Sequence, residues 1–374
     1  MKVLIAPDKF KGSLSANEVC EAIASGIKKF DSTIQCVMHP LADGGDGSLE
    51  VISEHLQLET ITITTKDPLF RPIQASYKRS DHTAYIEMAA SSGLALLKPE
   101  EQNCKHTTTY GTGQLINDAM QKGARTIYLF IGGSATCDAG IGMAASLGYK
   151  FLDKKNKPLL PTGDNLIHIQ QILAPDHLEQ IEDVTFVTLC DVDNPLFGKQ
   201  GAAQVFAAQK GANSEDILTL DQGLFHFSSI VAQSFDKDVT NIPGAGAAGG
   251  LGAGSIIFLN ATLQSGIDAL FEITKFPEAL ANTDLIFTGE GKIDHQTLNG
   301  KVVYGVSKLA KAQKIPVYGI SGVSELSASE IASLGISHLK TVLSEGITKE
   351  EAFTDTKRLV EKLAKDMIRY RMRE

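Results

Sequence analysis

Apolar residues recur along this chain in two rhythms. Short unbroken runs such as Val3-Leu4-Ile5-Ala6 read as buried parallel strands, and stretches with apolar positions three and four apart read as helices. After the first strand a helix is predicted from Ser15. Ser15 and Glu18 have capping-box spacing, Val19, Ala22, Ile23 and Ile27 fall on one face, and Lys28 and Lys29 suit the C-terminal end of the dipole. A strand at 34–41 and a helix carrying Leu49, Ile52 and Leu56 follow. Residues 60–89 change period. ITITT, IQASYKR and TAYIEMA alternate by twos and are broken by Asp67-Pro68 and Ser80-Asp81, which predicts antiparallel strands. A helix near 112–122 and strands at 126–131 and 184–190 come next, then a glycine-rich stretch at 243–254. From 284 the strand–helix rhythm of the N-terminus returns, through DLIFTGE, PVYGISG and HLKTVLS to a closing helix.

This order predicts an α/β protein of two α/β domains. Both chain ends, 1–62 and 284–374, are expected to form one Rossmann- or flavodoxin-like parallel sheet, and 63–283 an inserted domain with a mixed sheet. A length of 374 residues fits two cores better than one. Apolar residues make up 43% and charged residues 21%, an ordinary globular balance. The net charge of −9 argues against nucleic acid as the main partner. The five cysteines are scattered without a CxxC pair, which speaks against a zinc or CxxC redox site and for reduced thiols. The N-terminal apolar run is too short for a signal peptide, and no stretch approaches the ~20 apolar residues of a membrane span. A cytoplasmic protein is expected.

The candidate chemistry lies in loops that follow predicted strands, where open α/β sheets collect ligands. Residues 7–13 place Asp8, Lys9, Lys11 and Ser13 before a helix N-terminus, an anion-binding arrangement. Residues 42–48 set Asp43 and Asp46 among three glycines. The acids supply hard oxygen for Mg²⁺, and the glycines let backbone approach a ligand. Gly132, Gly133, Ser134 and Thr136 can form a nest of backbone N–H groups. Asp191, after the strand VTFVTLC, can accept a proton or hold metal, or can serve an Asx-type turn at Asn194-Pro195. Residues 244–254 contain GxGxxG, but DVTNIP before it is no strand, so a dinucleotide fingerprint is discounted. A tight helix start with N–H groups toward phosphates is expected instead, through Gly246, Gly249 and Gly250. Glu290 sits among glycines after LIF. Each loop alone is compatible with a plain turn. Several together suggest a cleft for phosphates and Mg²⁺, the inventory that phosphoryl transfer needs. Yet GxxxxGK[ST], HRD and DFG are absent.

PDKFKGSLSA at 7–16, PLADGGDGS at 40–48, GGSATCDAGIGM at 132–143, CDVDNPLFGKQGAAQVFAAQKGA at 190–212, GAGAAGGLG at 244–252 and TGEGKIDHQTLNGK at 288–301 together resemble the bacterial type I glycerate kinases. The resemblance runs through the whole chain. It implies ATP, Mg²⁺ and D-glycerate, phosphoglycerate and ADP as products with the 2-position favoured, and an active site in the cleft between two α/β domains. Lys9, Asp46 and Cys137-Asp138-Ala139 depart from the family's usual residues, so Lys11 is preferred to Lys9. Chemistry then assigns the roles. Asp191 is the expected base, with Lys11 beside it in catalysis. Asp8, Ser13 and Arg71 are expected on the substrate, Arg71 because it pairs bidentately with carboxylate. Gly132, Gly133, Ser134, Thr136, Gly246, Gly249 and Gly250 are expected on nucleotide phosphates, and Asp43, Asp46 and Glu290 on metal. An NAD-dependent oxidoreductase and a non-catalytic phosphometabolite-binding protein are the competing readings. A monomer and a homodimer are equally compatible with the sequence.

Overall fold

A computed structural model describes residues 1–45, 47–344 and 346–373. Its strands, in chain order, are β1 (Lys2–Ile5), β2 (Gln35–Met38), β3 (Glu59–Lys66), β4 (Pro72–Ser80), β5 (Thr83–Glu87), β6 (Thr126–Phe130) and β7 (Lys150–Leu152). β8 (Gln171–Leu173), β9 (Thr185–Leu189), β10 (Thr262–Gln264), β11 (Leu285–Ile293), β12 (Val317–Ser324) and β13 (Ile336–Thr341) complete them. The chain divides into two compact units, 1–56 with 265–374, and 57–264.

The first unit is built on a parallel sheet of order β13-β12-β11-β1-β2. Its inner strands β1 and β11 open as continuous apolar runs because both of their faces are covered. Val3 and Ile5 pack on one face with Ile23, Ile27, Val360 and Ile368. Leu4 and Ala6 pack on the other with Ile267, Phe271, Val302 and Val306. The period of two thus sends alternate residues of one strand into two cores.

The helix Ala16–Phe30 starts on the expected capping box, with Ser15 accepting from the Glu18 amide and Glu18 accepting from Ser15. It lies against the closing helix Thr356–Arg371 and so joins the two chain ends. Ser25 and Lys29 both bond to Glu361, and Lys357 bonds to Glu21. The helices touch at Gly26, where a Cβ atom would stand 2.1 Å from the Glu361 carbonyl oxygen.

The second unit holds a six-stranded mixed sheet of order β10-β9-β6-β5-β4-β3. The three strands expected to be antiparallel pair as β3-β4-β5, and β5, β6, β9 and β10 run parallel. A separate hairpin joins β7 and β8. One core serves this unit, and it includes Ile127, Leu129, Phe227 and Phe258. The long helix Ser214–Phe235, capped by Asn213, contributes Leu220, Leu224, Phe227 and Val231 to it.

The unit boundaries differ from the expected 62/63 and 283/284 for identifiable reasons. β3 pairs with β4 from Glu59 onward, so all of it belongs to the middle sheet. Residues 265–283 join the termini because the helix Gly266–Ile273 buries Ile267 and Phe271 in the core of the terminal unit.

Gly26→Ala is expected to lower stability by roughly 1–3 kcal/mol, because the added methyl must displace backbone in a packed core. Chemical denaturation checks this; an unchanged midpoint would mean that the two helices separate without cost.

Candidate active site

The terminal unit brings three acids to the C-terminal ends of adjacent strands. Beyond β1 the chain continues beside β11. The Ala6 amide donates to the Phe287 carbonyl at 2.7 Å, and the Asp8 amide to the Gly289 carbonyl at 2.8 Å. Asp8 is thereby held at the strand ends, 7% exposed. Glu290, on β11, is 4% exposed and accepts a 2.6 Å bond from Thr297 Oγ1. Asp43 follows β2, and its Oδ1 accepts from the Gly45 amide. These acids line a pocket of about 590 Å³ together with Lys9, Lys11 and Lys301.

Burial raises the Asp8 carboxyl to about 7, and the charge of Asp43 and then of Glu290 adds to it. Burial also raises Glu290 to about 7. There the Thr297 bond and Lys301 oppose the rise, while Asp294 and Asp43 reinforce it. The pocket therefore holds acids whose ionisation is costly until a cation or proton arrives. Among the described residues, no group of three or more His, Cys, Asp or Glu is arranged to hold a metal ion.

The expected site residues divide between the two units. Asp8, Lys11, Ser13, Asp43 and Glu290 share the pocket just described. Ser13 also has a structural bond, since its hydroxyl donates to Thr356 Oγ1. Asp46 lies outside the described residues. In the second unit Gly132 and Gly133 form an exposed turn beyond β6, with Gly133 at φ +73°. Ser134 Oγ and the Thr136 carbonyl behind it accept 2.6 and 2.9 Å bonds from Lys210 Nζ. Thr136 is buried, and its hydroxyl has no partner.

Gly246, Gly249 and Gly250 are buried, and packing alone accounts for them. A Cβ would stand 2.2 Å from the Pro195 carbonyl at Gly246 and 2.0 Å from the Thr136 carbonyl at Gly249. At Gly250 it would stand 3.0 Å from Ala139 Cα. Ala248, Gly249 and Gly250 all have positive φ, so the helix Ala247–Leu259 is broken in its first turn. Arg71 is committed to two acids of its own unit, Asp67 and Glu101. Asp191 is exposed just beyond β9.

Two features escaped sequence reasoning. Lys210 is only 4% exposed, and burial lowers its pKa. Its signal was the QKGA that closes the motif at 190–212. The other is the apolar lining of the pocket, Val323, Val342, Leu343, Ala352 and Phe353. The strand-end rule, applied to β12 and β13, points to the first three but does not tell a ligand wall from a core.

A model described as the Glycerate kinase family matches residues 3–372. The chain is 39% identical over 367 residues to a glycerate kinase of Halalkalibacterium halodurans, covering 98% of this chain and 97% of that one. It is 39% identical over 355 residues to a glycerate 2-kinase of Escherichia coli, covering 94% and 93%. Among solved structures, a protein of Salmonella typhimurium LT2 described as glycerate kinase 2 matches with a TM-score of 0.87 at 37% identity, over 98% of this chain and 97% of that one.

The raised Asp8 pKa fixes the sign of a stability effect. Between the unfolded value near 3.8 and the folded value of about 7, the native state holds a proton that the unfolded chain has lost. Stability therefore falls as pH rises through that window, and the loss persists above it. Asp8→Asn removes the penalty. In ligand-free protein its melting temperature should exceed that of the wild type at about pH 8 and nearly equal it at about pH 4. Equal shifts at both values, read by thermal melts, would contradict the burial argument.

Proposed function

The chain belongs to the glycerate kinase family, a kinase acting on an alcohol group of glycerate with ATP as co-substrate, and from that premise we propose that phosphoryl transfer takes place in the pocket of the terminal unit. The observation that carries the proposal is the convergence there of Asp8, Asp43 and Glu290 with Lys9, Lys11 and Lys301 at adjacent strand ends. Phosphoryl transfer is catalysed mainly by positioning and by neutralising charge on the transferred group. Lys11 and Lys301 neutralise phosphate oxygens.

D-glycerate is the proposed acceptor and its 2-hydroxyl the proposed nucleophile; the Escherichia coli relative named a glycerate 2-kinase supports that position. The hydroxyl oxygen attacks the γ-phosphorus, the bond to the β-phosphate oxygen breaks, and ADP leaves. The hydroxyl proton goes to Asp8. A buried carboxylate with a pKa of about 7 suits a general base better than an exposed one, which favours Asp8 over Asp191. Asp43 and Glu290 would hold Mg²⁺. Two hard carboxylates fit an ion that usually takes one or two of them and completes its shell with water and phosphate. The ion would supply neutralisation of phosphate charge.

Among the described residues no helix is long and apolar enough to cross a membrane. We place the protein in the cytoplasm, as a monomer or homodimer; its five free thiols suit a reducing compartment.

The purified protein should release ADP only with Mg²⁺ and D-glycerate, and far less with L-glycerate, and its product should be 2-phosphoglycerate by phosphorus NMR. ADP release that ignores glycerate would sink the reading. Asp8→Asn should lower kcat by roughly 10²–10⁴, while Asp191→Asn keeps turnover near that of the wild type. The reverse order would return the base to Asp191. A steeply raised Mg²⁺ requirement in Asp8→Asn, with rescue at high Mg²⁺, would make Asp8 a metal ligand instead.

A further inference from the structure

The pocket of the terminal unit has two chemically different ends, and the strand order sorts them. Asp43 follows β2, Asp8 follows β1 and Glu290 lies on β11, so the acids occupy one side of the sheet. Val323 lies near the end of β12, and Val342 and Leu343 follow β13, so the apolar residues occupy the other side. From β1 to β13 is three strand spacings, roughly 14 Å. The apolar end is fixed by backbone. The Val342 amide donates to the Ser321 carbonyl at 2.8 Å, and the Leu343 amide to the Gly322 carbonyl at 3.0 Å.

Phe353 completes this end. It lines the pocket and is 61% exposed. Its ring edge lies close to Gly12, where an added Cβ would be 3.9 Å from Phe353 Cε1. Its carbonyl accepts from Thr356 Oγ1 at 3.0 Å, and Thr356 in turn accepts from Ser13. The backbone at Phe353 is thus tied to the loop that carries Lys9 and Lys11.

Glycerate has three carbons, a carboxylate and two hydroxyls, with no apolar face to bury. It has no use for a wall of valine, leucine, alanine and phenylalanine. A nucleoside triphosphate has one flat apolar end and one charged end, in the order in which the pocket presents them. We propose that Val323, Leu343, Ala352 and Phe353 form the subsite for the purine base of the nucleotide, with Phe353 stacking on its face. The proposal rests on the kinase reading of this pocket and adds to it which residues hold the base. The triphosphate then runs from β13 toward β11 and β1, and its terminal phosphate ends among Lys11, Lys301 and the three acids.

The experiment compares wild type, Phe353→Ala and Phe353→Tyr. Loss of base stacking should raise KM for ATP about five- to hundred-fold in Phe353→Ala. KM for D-glycerate should stay near the wild-type value, and Phe353→Tyr, which keeps the ring, should restore ATP affinity. Adenosine, which has no phosphates, should inhibit the wild type competitively with ATP and lose that effect in Phe353→Ala. A rise in KM for D-glycerate with KM for ATP unchanged would overturn the subsite, and so would adenosine that fails to compete in the wild type. If the wild type released no ADP with D-glycerate, the kinase reading would fail. Calorimetric titration of adenosine into wild type and Phe353→Ala would then still decide the subsite by itself: binding lost in the variant supports it, and no binding to the wild type or equal binding to both overturns it.

Discussion

The pairing of β1 with β11 is the contact on which the site depends. Val3, Leu4 and Ile5 lie beside Leu285, Ile286 and Phe287, 282 residues further along the chain. Two more amide bonds, from Ala6 and Asp8, carry the pairing past the end of the strand. They fix Asp8 beside the segment that bears Glu290. A long loop is closed to do this, and loop-closure entropy grows only slowly with length. The compensation is local. Alternate residues of β1 enter two apolar cores, and the helices Ala16–Phe30 and Thr356–Arg371 lock the ends together.

The same pairing creates an electrostatic problem. Asp8 and Glu290 are nearly inaccessible, and the charge of Asp43 adds to the cost of ionising both. A fold selected for stability alone would place apolar or amide side chains there. Lysines stand at the wall of the pocket, yet both acids are still pushed up to about 7. The unliganded pocket is an unfavourable place for negative charge, a cost that an incoming cation or proton would relieve. That property is useful in a kinase, because it ties ligand binding to relief of a cost already present in the protein.

Much of this was legible in the sequence, and the exceptions have physical causes. The parallel sheet from both chain ends followed from apolar runs alternating with amphipathic stretches, and the capping box at Ser15 located its first helix. The strand-end rule placed Asp8, Lys11, Ser13, Asp43 and Glu290 in what proved to be one pocket. β7, β8 and β10 have three residues each, too few to show a period. The helix Ser214–Phe235 was missed although Asn213 and Asp216 form a capping box and Leu220, Leu224, Phe227 and Val231 mark its buried face. Ser228 and Ser229, near its middle, are poor markers of a helix interior. The purine wall was illegible for another reason: valine and leucine at a strand end look the same whether they face a core or a ligand.

The glycines show the same ambiguity from the other side. Gly132 and Gly133 are exposed, and no atom lies within 4 Å of a Cβ added at Gly132, so only their backbone is on offer. Gly246 and Gly249 resemble them in sequence but are buried, and carbonyl oxygens already stand where a Cβ would go. A glycine that lets a ligand approach leaves open space before it. A glycine that lets the chain approach itself has that space filled by backbone. Both give GxG in a sequence, and only the occupant of the missing Cβ position tells them apart. By that criterion the stretch at 244–252 is the second kind. It seats its broken helix start against Thr136 and Ala139 and braces, from within, the loop that continues from the exposed turn. Lys210 holds that same loop by Ser134 and the Thr136 carbonyl. The loop is therefore fixed on its buried side by the Lys210 amino group and by close-packed glycine, and its exposed turn is held in one shape.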